Sequence, residues 1–359
     1  MRTTRMTGRE RVNRMFQRQD QDSIPRCESW WNETLERWRS EGFAGDLLQF
    51  VGNDFQSLSW SDPMPWPGRE EAIVEDELTR TYLDSWGNQV RYWKAKSGTP
   101  EHVAFGCQTR DDWFETYKPK LFEHETFVKP DASFADWAVG RRNGRWTYLC
   151  GLETFEMARR QVGDETFLIA LIEDPEWAVD ISRSLTDLVL RDFDILIKRG
   201  VEPDGVWIYG DMAYRGGPMC SPKMYRELVW PDHKRMADWA HEHGLPFIFH
   251  TDGDVNPVLC HYLDAGFDCL QPLEAKAGMD VRKLAPVLGD EMALFGNIDV
   301  MVMATNDREA IEHEVQSKLA AGLKTRGYAY HSDHSVPPAV SWDTYRFVID
   351  LVDRYGNYD

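Results

Sequence analysis

The sequence predicts an α/β protein built as a (β/α)8 barrel, the TIM-barrel architecture, and three observations carry that expectation. From residue 145 onward, short apolar runs with polar tips alternate with amphipathic segments, and strands alternating with helices at this spacing form parallel sheet. Six such cycles, added to two earlier strands, make eight, the number that closes a barrel. Neither a GxGxxG turn after the first strand nor a GxxxxGK[ST] loop occurs, which removes the usual nucleotide-binding open sheets. The expectation is a single domain over residues 1–359.

Taken in order, Thr7 opens an amphipathic helix to Arg18, with Glu10 placed as in a capping box. Ser23 to Trp31 reads as the first strand, running into an aromatic, polar tip. A helix from Asn32 to Glu41 and a second strand from Asp54 to Trp60 follow, then a proline-rich break from Ser61 to Gly68. Residues 73–96 alternate at period two around Gly87-Asn88, so a β-hairpin is inserted there. Residues 97–143 predict mostly loop, with one helix from Asp111 to Lys118. The later strands are Arg145 to Glu153, Pro203 to Asp211, Phe247 to His250, Asp268 to Leu273, Met292 to Gly296 and Tyr328 to His331. Helices fill the intervals: to about Gly163, Glu165 to Glu173, Pro175 to Arg199, Ser221 to His243, Val255 to Asp264, Asp280 to Leu288, Asp307 to Gly322 and Trp342 to Tyr355.

Composition narrows the function. With 42% hydrophobic and 28% charged residues, the chain has the make-up of a folded, water-soluble domain. A net charge of -19 argues against a nucleic-acid partner. No stretch reaches the roughly 18 apolar residues that span a membrane, and the basic N-terminus lacks the apolar core of a secretory signal. Six scattered cysteines form no CxxC or zinc-finger spacing. Reduced thiols and a cytoplasmic location are the expectation.

The chemistry is expected at strand tips. The run Phe247 to His250 is followed by Thr251, Asp252, Gly253 and Asp254, a buried strand turning at glycine into a helix. Alternate residues of an extended segment point the same way, so His250 and Asp252 could share one ligand. A second polar cluster, Tyr330 to His334, ends the last strand, and the two tips are expected to meet around a metal. The plainer alternative makes His250 a hydrogen-bonded strand-end histidine and Asp252 a helix cap. Glu274, at its own tip, reads as an acid/base or fourth ligand, or else as the ion-pair partner of Lys276. Asp211 reads as a general base or substrate anchor, or a bracing loop residue; Glu153 as a pocket residue. Trp30 and Trp31 could form an apolar wall, and His331 could face the substrate or replace a neighbouring ligand.

These pieces resemble a known family. Gly8-Arg-Glu-Arg-Val12 leading to Ile24-Pro25, Gly210-Asp211, Ser221-Pro222-Lys-Met-Tyr225 and His250-Thr-Asp-Gly-Asp254 are similar to motifs of the uroporphyrinogen decarboxylase superfamily. So are Gln271-Pro-Leu-Glu274, Gly296-Asn-Ile-Asp299 and Val336-Pro-Pro338, over nearly the whole chain. The resemblance implies a (β/α)8 barrel, and either metal-free porphyrinogen decarboxylation or zinc-dependent methyl transfer with corrinoid proteins. It also places Asp211 in the pocket. Decarboxylases of the family carry an arginine-rich signature after the first strand, whereas this chain reads Cys27-Glu28-Ser-Trp30-Trp31-Asn32-Glu33. An acidic mouth would repel a polycarboxylate. The methyltransferase branch has His-x-Cys where this chain has His250-x-Asp252, and a further Cys at the position of His334. The resemblance therefore implies three ligands, His250, Asp252 and His334, for zinc or another divalent metal. The resulting expectation is a metal-dependent methyltransferase moving a methyl group from a small methoxy-type substrate to a corrinoid held by a partner protein. Asp211 and Glu274 would handle the proton. The alternative is a metal-free decarboxylase of the uroporphyrinogen type using Asp211.

Overall fold

The computed structural model describes residues 5–95 and 99–358. Its centre is a parallel sheet in the expected order. The strands are β1 (Phe55–Ser61), β6 (Trp146–Leu152), β7 (Gly205–Tyr209), β10 (Phe247–His250), β11 (Cys269–Gln271), β12 (Ala293–Phe295) and β13 (Tyr328–Ala329), each hydrogen-bonded to the next. The numbers between belong to β2 (Glu71–Glu75), β3 (Thr79–Leu83), β4 (Gln89–Trp93), β5 (Glu101–Ala104), β8 (Ala213–Tyr214) and β9 (Gly217–Pro218). The predicted first strand is reduced to isolated bridges, from Ser23 to Asn357, Arg26 to Tyr330 and Trp30 to Val336. Cys27 N donates to Tyr330 O and Tyr330 N to Pro25 O, while on the other side Asp54 N donates to Arg26 O. Pro25 to Cys27 thus joins the last strand to the approach of the first.

Side chains fill the ring rather than leaving a pore. Phe55, Trp146, Tyr148, Trp207, Ile248 and Phe295 meet inside it, and Val12 and Met15 of the helix Gly8–Phe16 close the N-terminal end. That helix carries the expected capping box between Thr7 and Glu10. The helices Pro175–Lys198 and Trp342–Tyr355 bury apolar stripes, and Arg308–Leu323 buries Ile311, Val315 and Leu319 beside a Glu314–Lys318 ion pair, all close to the predicted bounds. Among the described residues, no helix is long and apolar enough to cross a membrane.

Three sequence expectations change. The insertion is a four-stranded antiparallel sheet, β2 to β5, not a lone hairpin. Its predicted β3–β4 turn is present, but the flanking strands are short, and every residue of β2 is exposed. They lack the half-buried alternation that marks a strand. Lys96 and residues 97 and 98, which fell within the predicted ranges, lie outside the described residues. In the stretch expected to be mostly loop, Pro130–Arg142 is helical. Its buried positions are the small Ser133 and Gly140 rather than an apolar stripe. A side chain on Gly140 would place Cβ 2.5 Å from Thr147 Cγ2, so closeness of approach, not hydrophobicity, docks this helix. Finally, the predicted loop after Asp211 contains the small hairpin β8–β9.

Candidate metal centre

The site forms where β7 and β10 end side by side. Their register pairs Tyr209 with His250, so Asp211 and Asp252, each two residues further on, stay neighbours. Asp252 N donates to Asp211 Oδ1 at 3.0 Å. Met212 N donates to the Thr251 hydroxyl at 3.0 Å, tying the same two segments again. Gly253 follows at φ +88°, where a Cβ would lie 2.5 Å from the carbonyl carbon of Ala213. Only glycine makes this turn without strain.

His250 and Ile248 face the same side of β10, into the barrel. The His250 Nδ1 is hydrogen-bonded to Oε1 of Gln271, which is 2% exposed. An oxygen at that position holds the ring N–H on Nδ1 and leaves Nε2 its lone pair. Nε2 lies 3.8 Å from Asp211 Oδ1. Asp252 places Oδ2 3.9 Å from His334 Nε2, while its Oδ1 is buried with no hydrogen-bond partner among the described residues. Burial pushes the Asp252 carboxyl above its ordinary range; His250 pulls it back, Asp211 raises it again, and His334 and Glu274 act more weakly in opposite senses.

Asp211, His250 and Asp252 can each offer one ligand atom with all three within 4.8 Å of one another. Two atoms each about 2.1 Å from a shared ion are at most about 4.2 Å apart; His250 Nε2 and Asp211 Oδ1, 3.8 Å apart, meet that limit, while the trio as a whole spans up to 4.8 Å. The buried Oδ1 of Asp252, with no hydrogen-bond partner among the described residues, is available as a ligand atom. The residues fit a divalent metal.

The expected ligands His250 and Asp252 are thus together, and Asp211 joins them. His334 flanks Asp252 outside the tightest trio and stacks on Trp31, with ring centroids 5.9 Å apart. The tryptophan pair divides: Trp30 turns away to pack edge-on against Trp38 and Tyr345, so it forms no wall of this site. Glu274 accepts from Gly253 N at 2.7 Å and pairs with Lys276 at 2.8 Å, bracing the turn below Asp252. Glu153, expected in the pocket, is fully buried directly behind Gly210. It caps the helix Thr154–Val162 through Phe155 N and Glu156 N and bonds His233 Nε2 at 2.5 Å. His331 is buried as well; its Nδ1 donates to Ser332 O, and burial lowers its pKa to about 4. It is a neutral histidine behind the cluster.

Several functional candidates were not singled out by the sequence. Gln271 orients His250, and the Arg159 guanidinium holds the Asp211 carbonyl at 2.9 Å. Trp60, 42% exposed, lies over Tyr209 with centroids 4.6 Å apart, and Tyr209 in turn lies 5.0 Å from His250. A cleft of about 1080 Å³ also opens at the N-terminal end of the strands, beside Arg26 and Trp342, but no predicted site residue lines it.

A parallel α/β barrel carrying a His/Asp cluster at its strand tips is the class that fold and site define. The family model of uroporphyrinogen decarboxylase (URO-D) matches residues 155–355, and the chain belongs to that family. A curated uroporphyrinogen decarboxylase from Trichlorobacter lovleyi is 26% identical over 38% of this chain. That match spans only 39% of the relative's length. Among solved structures, a methyltransferase from Methanosarcina mazei superposes with a TM-score of 0.69 at 14% identity, over 98% of this chain and 99% of its own. At that identity the likeness concerns the fold.

Proposed function

We propose that this protein is a metal-dependent methyltransferase that removes a methyl group from a small methoxy-type substrate and passes it to a corrinoid carried by a partner protein. The observation that carries the reading is the Asp211–His250–Asp252 cluster with the unpartnered, buried Oδ1 of Asp252. His250 Nε2, Asp252 and Asp211 would hold zinc or another divalent ion, with His334 at its edge. When bound, such an ion supplies Lewis-acid polarisation of an ether oxygen. The chain's own residues do the remaining work. Gln271 orients the His250 ring through Nδ1 so that Nε2 turns toward the cluster, and Gly253 with Glu274 fixes the peptide that carries Asp252. Asp211, the most exposed carboxylate of the cluster at 43% side-chain exposure, lies where the site opens to solvent. In the transfer the methyl–oxygen bond would break with its electron pair staying on oxygen, the methyl carbon would bond to the partner's reduced corrinoid through that corrinoid's own electron pair, and a proton from solvent would complete the alcohol.

Decarboxylation of a polycarboxylate is less well supported. The segment Cys27 to Glu33 offers no arginine, and Arg26 just before it is buried and paired with Asp353 at 2.6 Å. Elemental analysis of wild type beside His250→Ala, Asp252→Ala and His334→Ala tests the proposal. Near-stoichiometric metal that the first two substitutions abolish is expected. A metal-free wild type that turns over porphyrinogen would replace this reading with the decarboxylase.

A further inference from the structure

We propose that the methyl donor carries an aromatic ring, seated on the open face of Trp60, which Tyr209 supports from behind, with its ether oxygen toward His250 and Asp252. This rests on the methyltransferase reading and adds the substrate class. Trp60 is the penultimate residue of β1 and belongs to neither buried cluster of the protein. The fold therefore does not need an indole there. Its ring nevertheless lies over Tyr209, at 4.6 Å and an interplanar angle of 41°, and leaves 42% of the residue open. Tyr209 continues downward as a stack on Trp207, centroids 5.0 Å apart at 16°, and sideways to His250, 5.0 Å apart at 34°. The Tyr209 position is thus fixed by the barrel interior, and Trp60 is set against a rigid support.

The other flank is aromatic too. Trp31 stacks on His334, at 27°, and His334 faces Asp252 at 3.9 Å. The polar cluster is bracketed by ring faces from the tips of the first two barrel segments and from the loop after the last strand. Flat apolar faces beside a ligand cluster suit a planar substrate, since offset stacking adds to the simple burial of apolar area. Leaving-group chemistry points the same way. The oxygen that departs from an aryl methyl ether is a phenolate, whose conjugate acid has a pKa of about 10, far below that of an aliphatic alcohol. In the transfer, the methyl–oxygen bond breaks, the pair remains on the aryl oxygen, and a phenol leaves after protonation. An ammonium donor would also find an aromatic face attractive, but a nitrogen with four substituents has no lone pair to present to the cluster.

Calorimetric titration of metal-loaded protein with guaiacol and, separately, 2-methoxyethanol tests the inference without any corrinoid partner. Wild type, Trp60→Phe, Trp60→Leu and Trp60→Ala are compared. Guaiacol is expected to bind at least tenfold more tightly than 2-methoxyethanol. Trp60→Ala and Trp60→Leu should weaken guaiacol on the order of tenfold, Trp60→Phe by less than about threefold. Because leucine keeps the apolar bulk and loses only the ring face, Trp60→Leu serves even if Trp60→Ala fails to fold. Guaiacol binding that is absent, no tighter than that of 2-methoxyethanol, or indifferent to Trp60→Leu overturns the inference. Ring binding that depends on Trp60 in a protein that transfers no methyl group would leave the ring seat standing but sink the methyltransferase reading, and with it the assignment of the ring to a methyl donor. Methyl transfer from 2-methoxyethanol without ring binding would do the reverse.

Discussion

Replacing Glu28 by glutamine should flatten the pH dependence of stability between about pH 5 and 8. The Glu28 side chain is fully buried where the first barrel segment meets the last strand. Oε1 accepts from Ser29 N and Ser332 N, and Oε2 from the hydroxyls of Tyr330 and Ser332. Burial nevertheless dominates these donors and raises its pKa from 4.5 to about 7. A folded pKa above the unfolded one means that the native state keeps a proton the unfolded chain has released. The stabilisation is fully present below the unfolded pKa and is lost as pH rises through the folded one, so this group removes stability from about pH 4.5 to 7 and nothing further above that. At 1.36 kcal/mol per pH unit the loss is roughly 3 kcal/mol. With an unfolding entropy of about 2.1 cal/mol/K per residue over 359 residues, that is about 4 °C in Tm. Glutamine fits because the two hydroxyls can rotate to accept from its amide while the two backbone N–H groups keep an oxygen. Calorimetric Tm of Glu28→Gln minus wild type, measured from pH 5 to 8, should therefore rise by about 4 °C. A difference that stays constant across that range refutes the reasoning.

Three further outcomes follow from the same geometry. Gln271→Leu should weaken metal binding about 10- to 100-fold in a competitive chelator titration, because His250 Nδ1 loses its partner; unchanged affinity would mean that the ring is oriented by something else. Arg11, 1% exposed, bonds Asp22 at 2.8 Å and Asp54 at 2.7 Å, so Arg11→Met should cost roughly 3–5 kcal/mol and lower Tm by about 4–7 °C. Burial would raise the Asp22 carboxyl, but the Arg11 hydrogen bond and charge reverse this and hold it well below the usual range. That stabilisation exists above the unfolded pKa and disappears as pH falls, so the gap to the variant should narrow below about pH 4. Gly253→Ala, forced to φ +88° against the Ala213 backbone, should cost about 1–3 kcal/mol and lose metal while circular dichroism still reports a folded barrel.

The elements that the sequence revealed are those whose signal is local. Strand tips such as His250-x-Asp252 are legible because an extended segment repeats every two residues, and the capping box at Thr7 is legible because its partners are three residues apart. The same rule, applied strictly, separates Trp30 from Trp31: adjacent residues of an extended segment face opposite ways, and only Trp31 reaches the site. Glu153 shows that a strand-tip carboxylate followed at once by a helix has a competing use, since here its two oxygens cap the helix and bind His233. Asp211 could not be placed within the cluster from its own neighbourhood. Its membership depends on the β7–β10 register, which pairs Tyr209 with His250 and carries the alignment two residues past the strands to Asp211 and Asp252. Trp60 is a still longer-range case, since β1 and β7 are separated in the sheet by β6 and only the closed curvature brings their tips into contact. In a barrel of this kind the ligand types are written in the strand tips, while the set that shares one centre is decided by register and curvature. A substitution that shifted β7 against β10 by one residue would keep every candidate side chain and still disperse the site.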